Sequence, residues 1–255
     1  MSARICQGLL YILASASAAG AAVVQRRGEI AYDSVVGFPK TVPDGIGAVY
    51  QKFQPYLQVD TDCAPFPAVD ASGNTNSGLS HNDDQHDSCS SSPGQVYVRS
   101  AALNSSYALM YSWYFPKDSP LPGLGHRHEW EGVVVWIDDP EAAQPQLLGV
   151  AASAHGKYQT HRSPSLQESR PLIRYFNVFL VNHQMGFTSR RGDEQPLVAW
   201  ESLPEAARDA LQSADFGDAT VPFKDGSFEK NLREAALTAD NRCEVEDDIP
   251  LCLSL

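Results

Sequence analysis

The stretch from residue 108 to residue 138 constrains the fold most. Ala108-Leu109-Met110-Tyr111-Ser112-Trp113-Tyr114-Phe115-Pro116-Lys117-Asp118 and Val133-Val134-Val135-Trp136-Ile137 are β-branched and aromatic runs, separated by a loop of Ser119-Pro120-Leu121-Pro122-Gly123-Leu124. Two such runs around a loop of this composition read as adjacent strands. Residues 133–137 are apolar at every position rather than at alternate ones, so both faces must be covered and the strand belongs inside a sheet. The polar residues gather at the loop ends, Asp118 before it and Gly125-His126-Arg127-His128-Glu129-Trp130-Glu131 after it. If the second strand begins near His128, Glu129 and Glu131 point to one side, about 7 Å apart. Asp118 and His126 can reach the same spot from the loop. A half-buried charge is costly unpaired, and two like charges at this distance favour a shifted pKa or a bound cation. Asp118, His126, Glu129 and Glu131 are therefore a candidate divalent-metal site. Mostly oxygen donors suit calcium or magnesium; zinc would want more nitrogen or sulfur. A plainer reading pairs Glu129 and Glu131 with Arg127 and Lys117 at a sheet rim.

The chain begins with Arg4, an apolar run over residues 9–14 and small residues to Ala22, which reads as a secretory signal over 1–22. Arg26-Arg27 offers a further processing point. Beyond it lies one expected domain, 28–238, and an acidic extension, 239–255. Loss of residues 1–27 removes three arginines and no acid, moving the net charge from −12 to −15. So acidic a protein is a poor partner for nucleic acid and for nonspecific adsorption to anionic lipid. Cys6 leaves with the signal, and Cys63, Cys89, Cys243 and Cys252 remain. In an oxidising compartment that suggests two disulfides, in any of three pairings. Asn104-Ser105-Ser106 is a glycosylation sequon at the turn between strands expected over 95–101 and 106–115. Further strands are expected over 147–154, 172–181 and 197–200. Ile46, Val49, Tyr50 and Phe53 give a helix over 44–54 its apolar stripe, ended by Pro55. Ser202 is expected to cap a helix over 203–214, and 228–237 to form another. His155 and His183 sit where strands end, the place where loops assemble sites. Residues 70–94, with His81, Asp83, Asp84, His86 and Asp87, read as a solvated loop, with a second cation site as the alternative. Nothing marks a dimer seam, so a monomer is expected. Catalysis by Glu129 and Glu131 as a glycosidase pair is disfavoured, since neighbours on one strand cannot flank a glycosidic bond from opposite sides. The chain reads as no enzyme.

The heptapeptide at 125–131 and the segment 110–118 resemble the two hallmark segments of the necrosis- and ethylene-inducing-peptide-like proteins of plant-associated microbes. Residues 63–70, 95–100, 153–158, 206–208 and 215–217 match further, so the resemblance covers roughly residues 30–238. It implies a mainly β, actinoporin-like β-sandwich with a few peripheral helices. It also implies a Cys63–Cys89 disulfide, leaving Cys243 with Cys252. Asp118, His126, Glu129 and Glu131 fall on the family's cation ligands, while His155 and His183 resemble outer residues that hydrogen-bond the site's waters. The implied function is a secreted cytolysin that binds glycosylated inositol phosphorylceramides of plant plasma membranes. The family's cytolytic members usually carry aspartate where this chain has Glu129. That departure motivates an alternative, a non-lytic secreted protein acting as a binding module or as a pattern that plant immune receptors detect through residues 108–118.

Overall fold

A computed structural model describes residues 28–82, 86–120, 123–178 and 182–237. In chain order the elements are β1 (Glu29–Ile30), α1 (Ile46–Phe53), β2 (Tyr56–Val59), β3 (Thr75–Asn76), α2 (His86–Cys89), β4 (Val96–Leu103), β5 (Ser106–Asp118) and β6 (His126–Ile137). Then follow β7 (Leu147–Ala154), β8 (Lys157–His161), β9 (Leu166–Gln167), β10 (Arg170–Asn177), β11 (His183–Phe187), β12 (Leu197–Ala199), α3 (Glu205–Ser213) and α4 (Asp225–Glu234). The architecture is a mainly β sandwich, as the resemblance implied. One sheet runs β12-β4-β5-β6-β7-β8, and a second runs β11-β10-β2 with β9 beside β10.

The long β5–β6 hairpin is the spine of the larger sheet. Its ladder holds one register from Tyr107↔Ile137 to Asp118↔His126. As the unbroken apolar run requires, both faces are covered. Leu109, Tyr111, Trp113, Phe115, Val133 and Val135 pack against Ile173, Tyr175 and Met185 of the second sheet. Met110, Tyr114, Trp130, Val134 and Trp136 pack on the other side against Leu211, Phe223, Phe228 and Leu232. Full burial of side chains of this size contributes roughly 1.5–3 kcal/mol each, so the hairpin dominates the core. The Phe115 and Tyr175 rings stack at 3.9 Å between centroids, joining the sheets directly beneath the hairpin's polar end.

Helix α1 ends before Pro55 as expected. The other two long helices differ from the sequence reading. Ser202 lies in a short 3-10 turn and does not cap α3; Pro204 occupies that position instead. Helix α4 begins at Asp225, three residues before the expected start, because only Phe228 and Leu232 carry the buried stripe and the first turn is polar. Strand β10 stops at Asn177, where its ladder with β11 ends at Asn177↔His183. The expected strand extends to 181, and residues 179–181 lie outside the described residues. Asn104 is exposed at the β4–β5 turn with φ 55, at the opposite end of β5 from Asp118 and so roughly 40 Å away. A disulfide joins Cys63 to Cys89. Cys243, Cys252, the 1–22 signal and the 239–255 extension lie outside the described residues, as do the side chains of residues 83–87.

Candidate functional site

Strict alternation along β6 would put His126 on the face opposite Glu129. The backbone prevents that. His128 takes a left-handed φ of 63, uncommon for a residue with a side chain, and the faces on either side of it no longer alternate. Its ring explains how the conformation is held: Nδ1 is 2.6 Å from the Tyr114 hydroxyl, and the ring meets Phe216 edge-on at 5.3 Å. Burial, then the neighbouring Arg127, lowers its pKa to about 4. His128 is thus a neutral wedge, and Asp118, His126 and Glu129 converge.

His126 Nε2 lies 3.4 Å from Glu129 Oε2 and 3.9 Å from Asp118 Oδ2. Its Nδ1 is 2.7 Å from the His128 carbonyl oxygen, which can only accept, so Nδ1 carries the proton. Nε2 therefore faces two carboxylates, and in the neutral ring it is the nitrogen that offers a lone pair; the Asn182 amide approaches it at 3.3 Å. Donor atoms of Asp118, His126 and Glu129 all fall within 4.8 Å of one another. Glu131 stands beside them on the inter-sheet face; the Ser153 hydroxyl donates to its Oε2. The rim pairing with Arg127 is not what forms, since Arg127 donates to the Ser77 carbonyl at 2.9 Å.

The electrostatics are those of carboxylates crowded without enough positive charge. Burial, then the charge of Asp118, raises Glu129 to about 8. Burial, then the charge of Glu129, raises Glu131 well above the carboxylate range, against the Ser153 hydrogen bond. Below them the Tyr175 hydroxyl is buried and has no hydrogen-bond partner among the described residues. Burial, then Asp118, Glu129, Asp62 and Glu131, raise its pKa. Hard oxygen donors, one imidazole nitrogen and a buried hydroxyl near the carboxylates fit a divalent cation with its waters.

Of the two outer histidines, only His183 touches a ligand candidate. Its Nδ1 is 2.6 Å from Asp118 Oδ1, and its ring stacks on Tyr175 at 4.8 Å. His155 is exposed in the β7–β8 turn with φ 49 and lines the cleft. That cleft, about 510 Å³, opens from Glu129 and Glu131 toward Lys157, Asn182 and Lys230 at the start and side of α4. Sequence reasoning missed Asp62, Ser153 and Tyr175 as parts of the site; Ser153 opens the 153–158 match, but nothing local ties any of the three to the hairpin. His81 of the 70–94 loop accepts, through its carbonyl, from Ser119 Oγ at 3.2 Å and Gly123 N at 3.3 Å, so the loop packs onto the hairpin turn.

A family profile described as "Necrosis inducing protein (NPP1)" matches residues 47–235. The chain is 45% identical to NLP effector protein 10 of Phytophthora capsici over 224 residues, 86% of this chain and 96% of that protein. Among solved structures, NLPPya in complex with mannosamine superposes with a TM-score of 0.78 at 42% identity, covering 82% of this chain and 99% of that one. The non-toxic HaNLP3 protein gives the same TM-score at 40% identity, covering 81% and 99%.

Proposed function

This chain belongs to the necrosis inducing protein (NPP1) family, and on that premise we propose that it is a secreted cytolysin. It binds the sugar of glycosylated inositol phosphorylceramides in plant plasma membranes through a divalent-cation pocket, and membrane damage, necrosis and immune responses follow. The observation that carries this reading is the convergence of Asp118, His126 and Glu129, with Glu129 and Glu131 lining one end of an open cleft. Asp118 and Glu131 would anchor calcium or magnesium, and His126 and Glu129 would hold its waters. The bound ion would supply coordination to sugar hydroxyls. It also lets a protein of net charge −12 engage a membrane without a basic patch. The mannosamine complex of NLPPya supports a sugar as ligand. Catalysis forms no part of the reading, because Glu129 and Glu131 belong to one strand.

Secretion rests on the 1–22 signal and processing after Arg27, with the 28–238 domain released and Cys243 paired with Cys252 in the tail. A glycan on Asn104 would sit away from the pocket, and the protein would act as a monomer. The decisive variant is Glu131→Ala. Confirmed as folded by circular dichroism, it should fail to lyse susceptible leaf cells; lysis equal to wild type would rule out the cation mechanism.

The second reading is a non-lytic member of the same fold, consistent with the non-toxic HaNLP3 relative and with Glu129 in place of aspartate. In it, immune receptors detect residues 108–118. Those residues are buried in β5, so recognition would require the strand to leave the fold. A synthetic 108–122 peptide should then induce immune markers while the intact protein releases no dye from vesicles; leakage at low dose would exclude this version.

A further inference from the structure

We infer that Asp62 is a positioning residue of the cation pocket, holding Asp118 in place through His183 and through the backbone of Ser119. The inference rests on Asp118 being a cation ligand, as proposed above. Asp62 has a left-handed φ of 68, and a residue with a side chain persists there only when its surroundings over-determine it. Those surroundings are specific. The carboxylate is 1% exposed. Its Oδ2 accepts the Ser119 N–H at 2.9 Å, immediately after Asp118 in the chain. The same oxygen lies 3.9 Å from His183 Nδ1. That nitrogen is 2.6 Å from Asp118 Oδ1, and the His183 N–H approaches both oxygens of Asp118, at 3.2 and 3.4 Å.

On the far edge of the imidazole, Nε2 is 3.0 Å from Thr61 Oγ1. Thr61 thus meets one edge of the His183 ring, and the charge of Asp62 stands 3.9 Å from the other. Donor atoms of Asp62, Asp118 and His183 lie within 4.8 Å of one another, and Asp118 is shared with the Asp118–His126–Glu129 group. The segment is itself fixed: Asp60 N–H donates to the Tyr175 carbonyl at 2.9 Å, and Cys63 follows in its bond to Cys89. Oδ1 of Asp118 takes the His183 ring, while Oδ2, which meets the His183 backbone N–H, is the oxygen that faces His126. Asp62 acts on that division from 56 residues upstream.

The test compares wild type, Asp62→Asn and Asp62→Gly by calorimetric titration with calcium and with magnesium, alongside the melting temperature of each cation-free protein. Asparagine keeps an acceptor for the Ser119 N–H and removes the charge beside His183. Glycine removes the side chain and suits the left-handed backbone. Both variants should weaken cation binding about tenfold or more, the range for residues that orient metal ligands. If both bind as wild type and only the melting temperature moves, Asp62 is structural and the inference is overturned. If wild type binds neither cation, the pocket reading fails first and takes this inference with it.

Discussion

His126 can face two carboxylates because its other ring nitrogen is committed to a backbone carbonyl. That hydrogen bond fixes the ring so that, when neutral, its lone pair points at the acids, an arrangement that suits a cation. The titration of Glu129 gives a pH test. Its pKa is raised from the ordinary 4.5 to about 8, so the folded protein binds this proton more tightly than the unfolded chain does. Stability of the cation-free protein therefore falls as pH rises from about 4.5 to about 8 and stays low above that. Glu131 shifts in the same direction. A divalent cation takes the proton's place, so the gain in melting temperature on adding calcium should be small at pH 5 and large at pH 8. An equal gain at both would contradict the assignment. At this scale the sequence was informative where residues were close together: Asp118, His126, Glu129 and Glu131 span one hairpin. It was silent on Asp62, Ser153 and Tyr175, which join the site only through tertiary packing, and on the left-handed turn at His128 that brings His126 and Glu129 together.

Among the elements, the β5–β6 hairpin carries both the core and the site, and its turn is the sensitive point. Gly125 has φ 100, and a Cβ there would stand 2.1 Å from the Asp118 carbonyl oxygen. The backbone of a ligand candidate therefore abuts a position only glycine fits. Gly125→Ala should lower stability by on the order of 2 kcal/mol and abolish calcium-dependent stabilisation, measured by denaturant unfolding with and without calcium. Unchanged stability would mean the turn is laxer than its geometry indicates. The hairpin was readable because its apolar run is unbroken and its loop is full of proline and glycine. Helix α4 was placed three residues late because its polar first turn, Asp225-Gly226-Ser227, carries no apolar period. Asp225 earns its place elsewhere, in an ion pair at 2.8 Å with Arg99, whose guanidinium lies over Phe228 and Trp200. The cap expected from Ser202 failed for a similar reason: Trp200 to Ser202 form their own 3-10 turn.

As a whole molecule, the protein is a sandwich whose two sheets each depend on a pairing that no local pattern announces. Strand β2 runs parallel to β10, and β12 parallel to β4, each across about a hundred residues of chain. The sandwich was accessible from the sequence through family resemblance; periodicity alone supplied strands without their partners. What the assembled fold adds is polarity of the molecule. The candidate cation ligands lie at one end of β5 and the Asn104 turn at the other, so the proposed membrane-facing end is the one away from Asn104. The central claim is that a cation held at that end couples the protein to a lipid-borne sugar. Dye release from vesicles containing plant glycosyl inositol phosphorylceramides measures it most directly, with calcium or magnesium present and then with chelator. Release that requires the cation is the predicted result, and it would show that Glu129 serves where the family resemblance leads one to expect aspartate. Intact vesicles in the presence of folded, cation-bound protein, or release that persists in chelator, would contradict it.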